Sequence, residues 1–272
     1  MNRTVSATRD DHQVTSTVLS SMSWGKHVIL AIFILGAWEI AGKTIFAESL
    51  FMSPFSEVVG ALYEWFSTGF IWPHLRTSMA ELVIGFAISA VAGVLIGVWL
   101  GSSKAAYSLL NPWVGILYVT PMVAVTPIFI LAFGIGIASK VALIVSLAVF
   151  PIIVNTSAGF RSVDDRYLEL AKSFNASHRD LAFKIRLPAS LPFILSGLRL
   201  GSGRAVIGVV VGEFFLAREG VGYLIAQSSA TFATADLFAG VIVFAVIGLT
   251  LFIVFEFLER RFAPWREIGG SS

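Results

Sequence analysis

Cysteine is absent from this chain of 272 residues, histidine occurs four times, and charge is scarce. The lack of cysteine excludes disulfides, thiolate metal ligands and thiol nucleophiles. His12, His27, His74 and His178 fall in separate segments with no pair at metal-ligand spacing, so no metal site is expected. No serine, histidine and aspartate pattern suggests hydrolysis, and no catalytic residue is assigned. Charged residues make up 13% of the chain, about half of the ~25% usual in soluble domains and too little to cover a soluble surface. The net charge of +2 is too small to attract nucleic acid. One phosphate-loop look-alike, "GAWEIAGKT" from Gly36 to Thr44, fails on spacing. Five residues separate its glycines where the motif has four, and it ends an apolar run instead of following a strand. No cofactor is expected on this chain.

Apolar sequence is what the chain has in excess. Hydrophobic residues are 56% and the mean hydropathy is +0.84. They come in blocks long enough for the ~20 helical residues that a bilayer requires. The pattern predicts an all-α membrane protein with about six transmembrane helices, near 28–42, 80–100, 109–132, 140–158, 191–214 and 237–258. Pro112, Pro121 and Pro127 interrupt the third, which places that span against protein or a cavity instead of lipid. The first 26 residues are polar, rich in Ser and Thr, and read as a flexible tail. The apolar run behind them lacks a small-x-small cleavage site and reads as a retained first helix. The expected organisation is a tail over 1–26, a six-helix domain over 27–263 and a second tail over 264–272.

Orientation follows from Lys and Arg. With the N-terminus in the cytoplasm, 13 of the 19 basic residues fall inside and only Lys43, Arg76, Lys140 and Arg218 outside. Arg199 and Arg204 lie within the fifth span. Both termini are then cytoplasmic, as is the charged segment 161–190 between spans four and five. Outside, "PFSEVVGALYEWFSTG" predicts a short interfacial helix anchored by Trp65 and Trp72, and "EGVGYLIAQSSATFATAD" predicts a second. These form either a docking surface for an external partner or an interfacial lid. In the second span Gly85, Ser89, Gly93, Gly97 and Gly101 recur every fourth residue. Such a stripe admits a closely packed helix, within the chain or across a subunit interface.

The segment 161–190 is soluble in character. Tyr167, Leu170, Ala171 and Phe174 lie at i, i+3, i+4 and i+7 on one helix face, with Arg166, Glu169, Lys172 and Ser173 opposite. Asp164 or Asp165 caps the start, and Asn175 stands where a left-handed residue ends a helix. Ser177 and Asp180 form a capping box for a second helix, "HRDLAFKIRL", before Pro188 and Pro192 mark the start of span five. A basic helix of this kind either rests on anionic lipid or meets a protein partner.

Its spacing narrows the choice. Glu169-x-Ala171, three residues, Asn175, nine residues and Ile185-x-Leu187-Pro188 resembles the cytoplasmic loop signature of the membrane subunits of bacterial binding-protein-dependent ABC importers. Asn175 replaces the usual Gly, and Asn is the residue that next best tolerates positive φ. "FGIGIASKVALIVSLAVFPIIVNTSAGFRSVD" and "LPFILSGLRLGSGRAVIGVVVGEFF" on either side resemble the branch carrying nitrate, sulfonates, taurine and related small solutes. The likeness runs from about Ser53 to Arg261. It implies a permease subunit of the inner membrane, with Glu169, Leu170, Ala171, Phe174, Asn175, Ile185, Leu187 and Pro188 coupling it to a separate ATPase. It further implies two ATP-binding cassette ATPase subunits carrying ATP and Mg, a second permease copy and an external solute-binding protein.

Polar groups inside the spans are the remaining candidates. Arg204, roughly 13 Å along its helix at 1.5 Å per residue, is expected on the translocation pathway or in an ion pair. Arg199, near the cytoplasmic end, can snorkel. Glu213 is expected near the outer end as a gate or interface residue. Thr120, Thr126 and Asn155 either line the pathway or form helix–helix hydrogen bonds. The alternative function is a secondary transporter or channel working without ATP. Glu39, Glu81, Glu213 and Glu256 near span ends argue against it, because proton-coupled carriers usually need mid-membrane carboxylates.

Overall fold

The computed structural model describes residues 8–46 and 51–262, with side chains from Gly25 onward except Asp165, His178 and Leu216. The expected tail over 264–272, and the first seven residues of the one expected over 1–26, lie outside the described residues. The elements are α1 (Thr8–Thr44), α2 (Phe55–Ser67), α3 (Ile71–Ser102), α4 (Lys104–Val119), a 3-10 turn (Met122–Val125) and α5 (Thr126–Phe133). They continue with α6 (Ile137–Arg161), α7 (Asp165–Ser173), the single turn α8 (His178–Asp180), a π turn (Leu181–Arg186), α9 (Leu187–Leu216), α10 (Val221–Ala230) and α11 (Thr234–Phe262).

Among the described residues five helices are long and apolar enough to cross a bilayer: Gly25–Thr44 of α1, α3, α6, Leu181–Phe215 and α11. The third expected span is instead the pair α4 and α5, bent by 84°. Proline chemistry accounts for the break. Thr120 precedes Pro121 and is extended, at φ −64° and ψ 132°, because a residue before proline is pushed out of the α region. Pro127 then sits in the first turn of α5, where its missing N–H is harmless.

The centre of the molecule is α6. On one side it receives the small-residue stripe of α3, so that stripe packs within the chain. A Cβ on Gly93 would fall 2.7 Å from Ile152 Cβ, and one on Gly97 2.5 Å from Thr156 Cβ. Gly85 and Gly101 meet Ile144 and Phe160 in the same way. The two helices are parallel, each contact joining residue i to residue i+59. On its other side α6 packs antiparallel to α9, where Gly197, Gly201 and Gly208 meet Asn155, Ile152 and Ile144. Ile152 and Ile144 are fully buried between the two glycine faces. In lipid such close van der Waals contact takes the place of the hydrophobic effect.

Around this stack, α10 and α11 pack on α9, and α2 lies across α11. The short helix expected near Trp65 is α2, but Trp65 is buried in the core and only Trp72 is exposed. Span five also starts earlier than its prolines suggest. The expected second cytoplasmic helix runs through the π turn directly into α9, with Pro188 in its first turn. The Gly36–Thr44 segment is uninterrupted α-helix, with Gly42 against Pro54 and no phosphate-binding loop.

Candidate functional site

Three regions carry chemistry. At one end lies the helix–turn–helix. Asp164 accepts a hydrogen bond from the Arg166 amide at 2.9 Å, capping α7. The end of α7 is a Schellman motif: Ala176 N–H donates to Ala171 C=O at 3.1 Å and Asn175 N–H to Lys172 C=O at 2.9 Å. Asn175 has φ 59°, the left-handed conformation expected of it. The capping box is reciprocal, since Ser177 N–H donates to Asp180 Oδ2 at 3.1 Å and Asp180 N–H to Ser177 Oγ at 3.2 Å. Lys184 stands 2.6 Å from Asp180 Oδ1. Its hydrogen bond, followed by those from Ser177, holds the Asp180 carboxyl down at about 2.

A doubly capped helix thus presents Tyr167, Leu170 and Phe174 to its surroundings, Phe174 79% exposed. Glu169 is exposed and Ala171 half-buried beside them, while Leu168, absent from the expected face, turns inward and is buried. Ile185 and Leu187 are half-buried at the start of span five, and Pro188 is exposed.

The second region is a cavity of about 370 Å³ at the break between α4 and α5. Thr120 and Arg204 line it together with Tyr118, Met122, Ser146 and Phe150. Arg204 is exposed and has no ion-pair partner among the described residues. Arg199 does pair, with Glu259 of α11 at 3.3 Å, and lies over the Phe252 ring. Thr126 and Asn155 are not brought to the cavity. Thr126 is buried and donates to Val123 C=O at 2.6 Å, and Asn155 donates to Pro151 C=O at 2.8 Å. Tyr118, Ser146 and Phe150 escaped sequence reasoning because each sits in an apolar run as an ordinary membrane residue would. The i, i+4 spacing of Ser146 and Phe150 was the available signal.

At the opposite end of the helix stack lies a buried polar cluster. Lys140 of α6 is ion-paired with Glu81 of α3, and both are almost wholly enclosed. Beside them, fully buried Glu213 accepts from Ser78 Oγ and from Gly222 N–H, each at 2.7 Å. The offset of i to i+59 that aligns α3 with α6 also aligns Glu81 with Lys140. The glycine stripe, extended one turn, reaches Glu81 in the sequence, but its partner Lys140 follows only from the register of α3 against α6.

Among the described residues no group of three or more His, Asp or Glu can hold a metal ion. Residues 89–267 match the family described as binding-protein-dependent transport system inner membrane component. The chain belongs to that family. It is a non-catalytic permease subunit of an ABC-type importer, multi-pass in the inner membrane, in the branch with the nitrate, sulfonate and taurine permeases. The permease is 36% identical over 245 residues to SsuC of Bacillus subtilis, a permease protein named for aliphatic sulfonates transport, covering 90% of this chain and 88% of that one. It is 33% identical over 236 residues to the formylaminopyrimidine transport permease protein ThiX of Halalkalibacterium halodurans, covering 87% and 94%. In fold it is similar to a chain of the inward-facing MetNI methionine ABC transporter, at a TM-score of 0.58 and 16% identity, covering 71% of this chain and 94% of that one. The alternative of a carrier or channel working without ATP gives way to this assignment.

Proposed function

We propose that the permease moves a small anionic solute through the cavity at the α4–α5 break, and that α7 couples this movement to ATP hydrolysis on partner chains. The reading for coupling rests on one observation above all. A helix outside the spans, capped at both ends, exposes Tyr167, Leu170 and Phe174 to no partner within the described chain. In water such a face is stable when another protein covers it. The positive-inside bias supports placing this helix and both termini in the cytoplasm, where two ATPase subunits holding ATP and Mg would receive it. A second permease copy and an external solute-binding protein complete the assembly.

Arg204 and Thr120 support the anionic solute. A guanidinium open to a cavity is a fixed positive charge in low dielectric, and it selects for anions there. The names of the relatives in this branch include sulfonates, taurine and nitrate, in keeping with that charge. Thr126 and Asn155 then act on the pathway only indirectly, by satisfying backbone carbonyls at its walls.

Replacing Leu170 and Ala171 together by Asp tests the coupling role. The expected outcome is loss of ATPase co-purification and loss of uptake; a double variant that still retains its ATPase and transports would reject it. Arg204→Ala is expected to reduce anion uptake at least tenfold while leaving ATPase assembly intact, measured in proteoliposomes. Unchanged uptake kinetics would reject the anion assignment alone.

A further inference from the structure

The polar cluster at the far end of the stack has no part in coupling or in the cavity at the α4–α5 break, yet its Glu213, Glu81 and Ser78 are all buried. The start of α10 carries four N–H groups that its own helix cannot satisfy. Side chains from two other helices take three of them. Gly220 N–H donates to His74 Nδ1 at 3.1 Å, Val221 N–H to Ser78 Oγ at 2.9 Å and Gly222 N–H to Glu213 Oε2 at 2.7 Å. Ser78 in turn donates to Glu213 Oε1, so one carboxylate gathers α3, α9 and α10. The fit is tight. A Cβ on Gly222 would fall 2.8 Å from Glu213 Cβ, and one on Gly220 would overlap the carboxyl group itself.

Charge ties this junction to the seating of α10. Glu213 and Glu81 are two buried carboxylates next to one buried ammonium, Lys140. Lys140 is committed to Glu81, so Glu213 depends on Ser78 and on the positive end of α10. Lift α10 away and that carboxylate keeps one hydroxyl partner, a costly state unless water reaches it. Seating of α10 and exclusion of water from the outer end therefore go together.

We propose that Glu213 is a positioning residue of the transport cycle: it clamps α10 onto α3 and α9 as the outer closure of the permease, and the closure opens by releasing the α10 amides to water. This rests on the reading above for which end faces outward. The clamp predicts which substitutions loosen it. Glu213→Gln keeps the volume but replaces the carboxylate by a neutral amide, so the Gly222 N–H loses a charge-assisted bond. Gly222→Ala leaves the carboxylate intact and pushes α10 off its seat. His74→Ala removes the Gly220 bond and the ring contact with Tyr223 but leaves the bonds of the carboxylate in place.

The absence of cysteine allows a direct test. A single cysteine in place of buried Ser228 on α10 reports exposure of the clamp's far side to a membrane-impermeant maleimide in right-side-out vesicles. In the Glu213→Gln and Gly222→Ala backgrounds labelling is expected to accelerate about tenfold or more, from the loss of one buried charged bond or an equivalent clash. His74→Ala should change it by less. The complex with its ATPase should also hydrolyse ATP faster without solute, and Glu213→Asp should restore part of the resting rate. If Glu213→Gln does not assemble, Gly222→Ala decides. Labelling and basal hydrolysis as in the parent, in whichever variant assembles, would overturn the clamp. Labelling that appears only after vesicle lysis would instead overturn the outward placement of α10.

Discussion

Lys140 illustrates how misleading a residue can be when read by itself. By charge counting it is one of four basic residues outside the membrane, yet its side chain is enclosed against Glu81. A buried pair of this sort contributes little net stability over apolar replacements, whereas a lone survivor is severely destabilising. Lys140→Met alone should therefore lower stability by about 3–5 kcal/mol, and Glu81→Leu with Lys140→Met should recover most of that loss. Thermal unfolding of the detergent-solubilised permease checks both, and equal losses in single and double variants would show that the pair is not an isolated unit. Arg199 and Arg204 show the same limit. Both are arginines in one span five residues apart, and only the folded arrangement gives Arg199 a glutamate and Arg204 a cavity.

Elements were more legible than contacts. Asp164, Asn175, Ser177 and Asp180 do locally what their types predict, because capping depends on residues within a few positions of one another. The glycine stripe of α3 announced a close neighbour, but nothing in one sequence could say that the neighbour is α6. The 84° break was signalled by Pro121 and Pro127 but not its size, which depends on packing across the gap. Capping also sets a pH window. Because Asp180 is held down at about 2, its contribution is complete above the unfolded value near 4 and is lost as pH falls through about 2. Hydrogen-exchange protection of the Asp180 amide should stay level from neutral pH to about 4.5 and fall between about 4 and 2. Asp180→Asn should flatten that profile, and a flat profile in the parent would separate the cap from the carboxylate.

For the molecule as a whole, two ends of one helix stack have to face opposite sides of a bilayer. The parallel register of α3 and α6 and the antiparallel packing of α9 put Glu81, Lys140 and Glu213 at one end. Arg161, stacked on Tyr107, and Arg199, paired with Glu259, lie toward the other, from which α7 projects. Basic residues collect at the second end, so it should be cytoplasmic. Single cysteines at Lys172 and at Glu219, both exposed in a chain without cysteines of its own, test this in right-side-out vesicles. Glu219→Cys should react with impermeant maleimide at once, and Lys172→Cys only after lysis. The reverse order would put α7 outside, where an exposed apolar face could meet no ATP-hydrolysing partner, and coupling through it would be physically impossible.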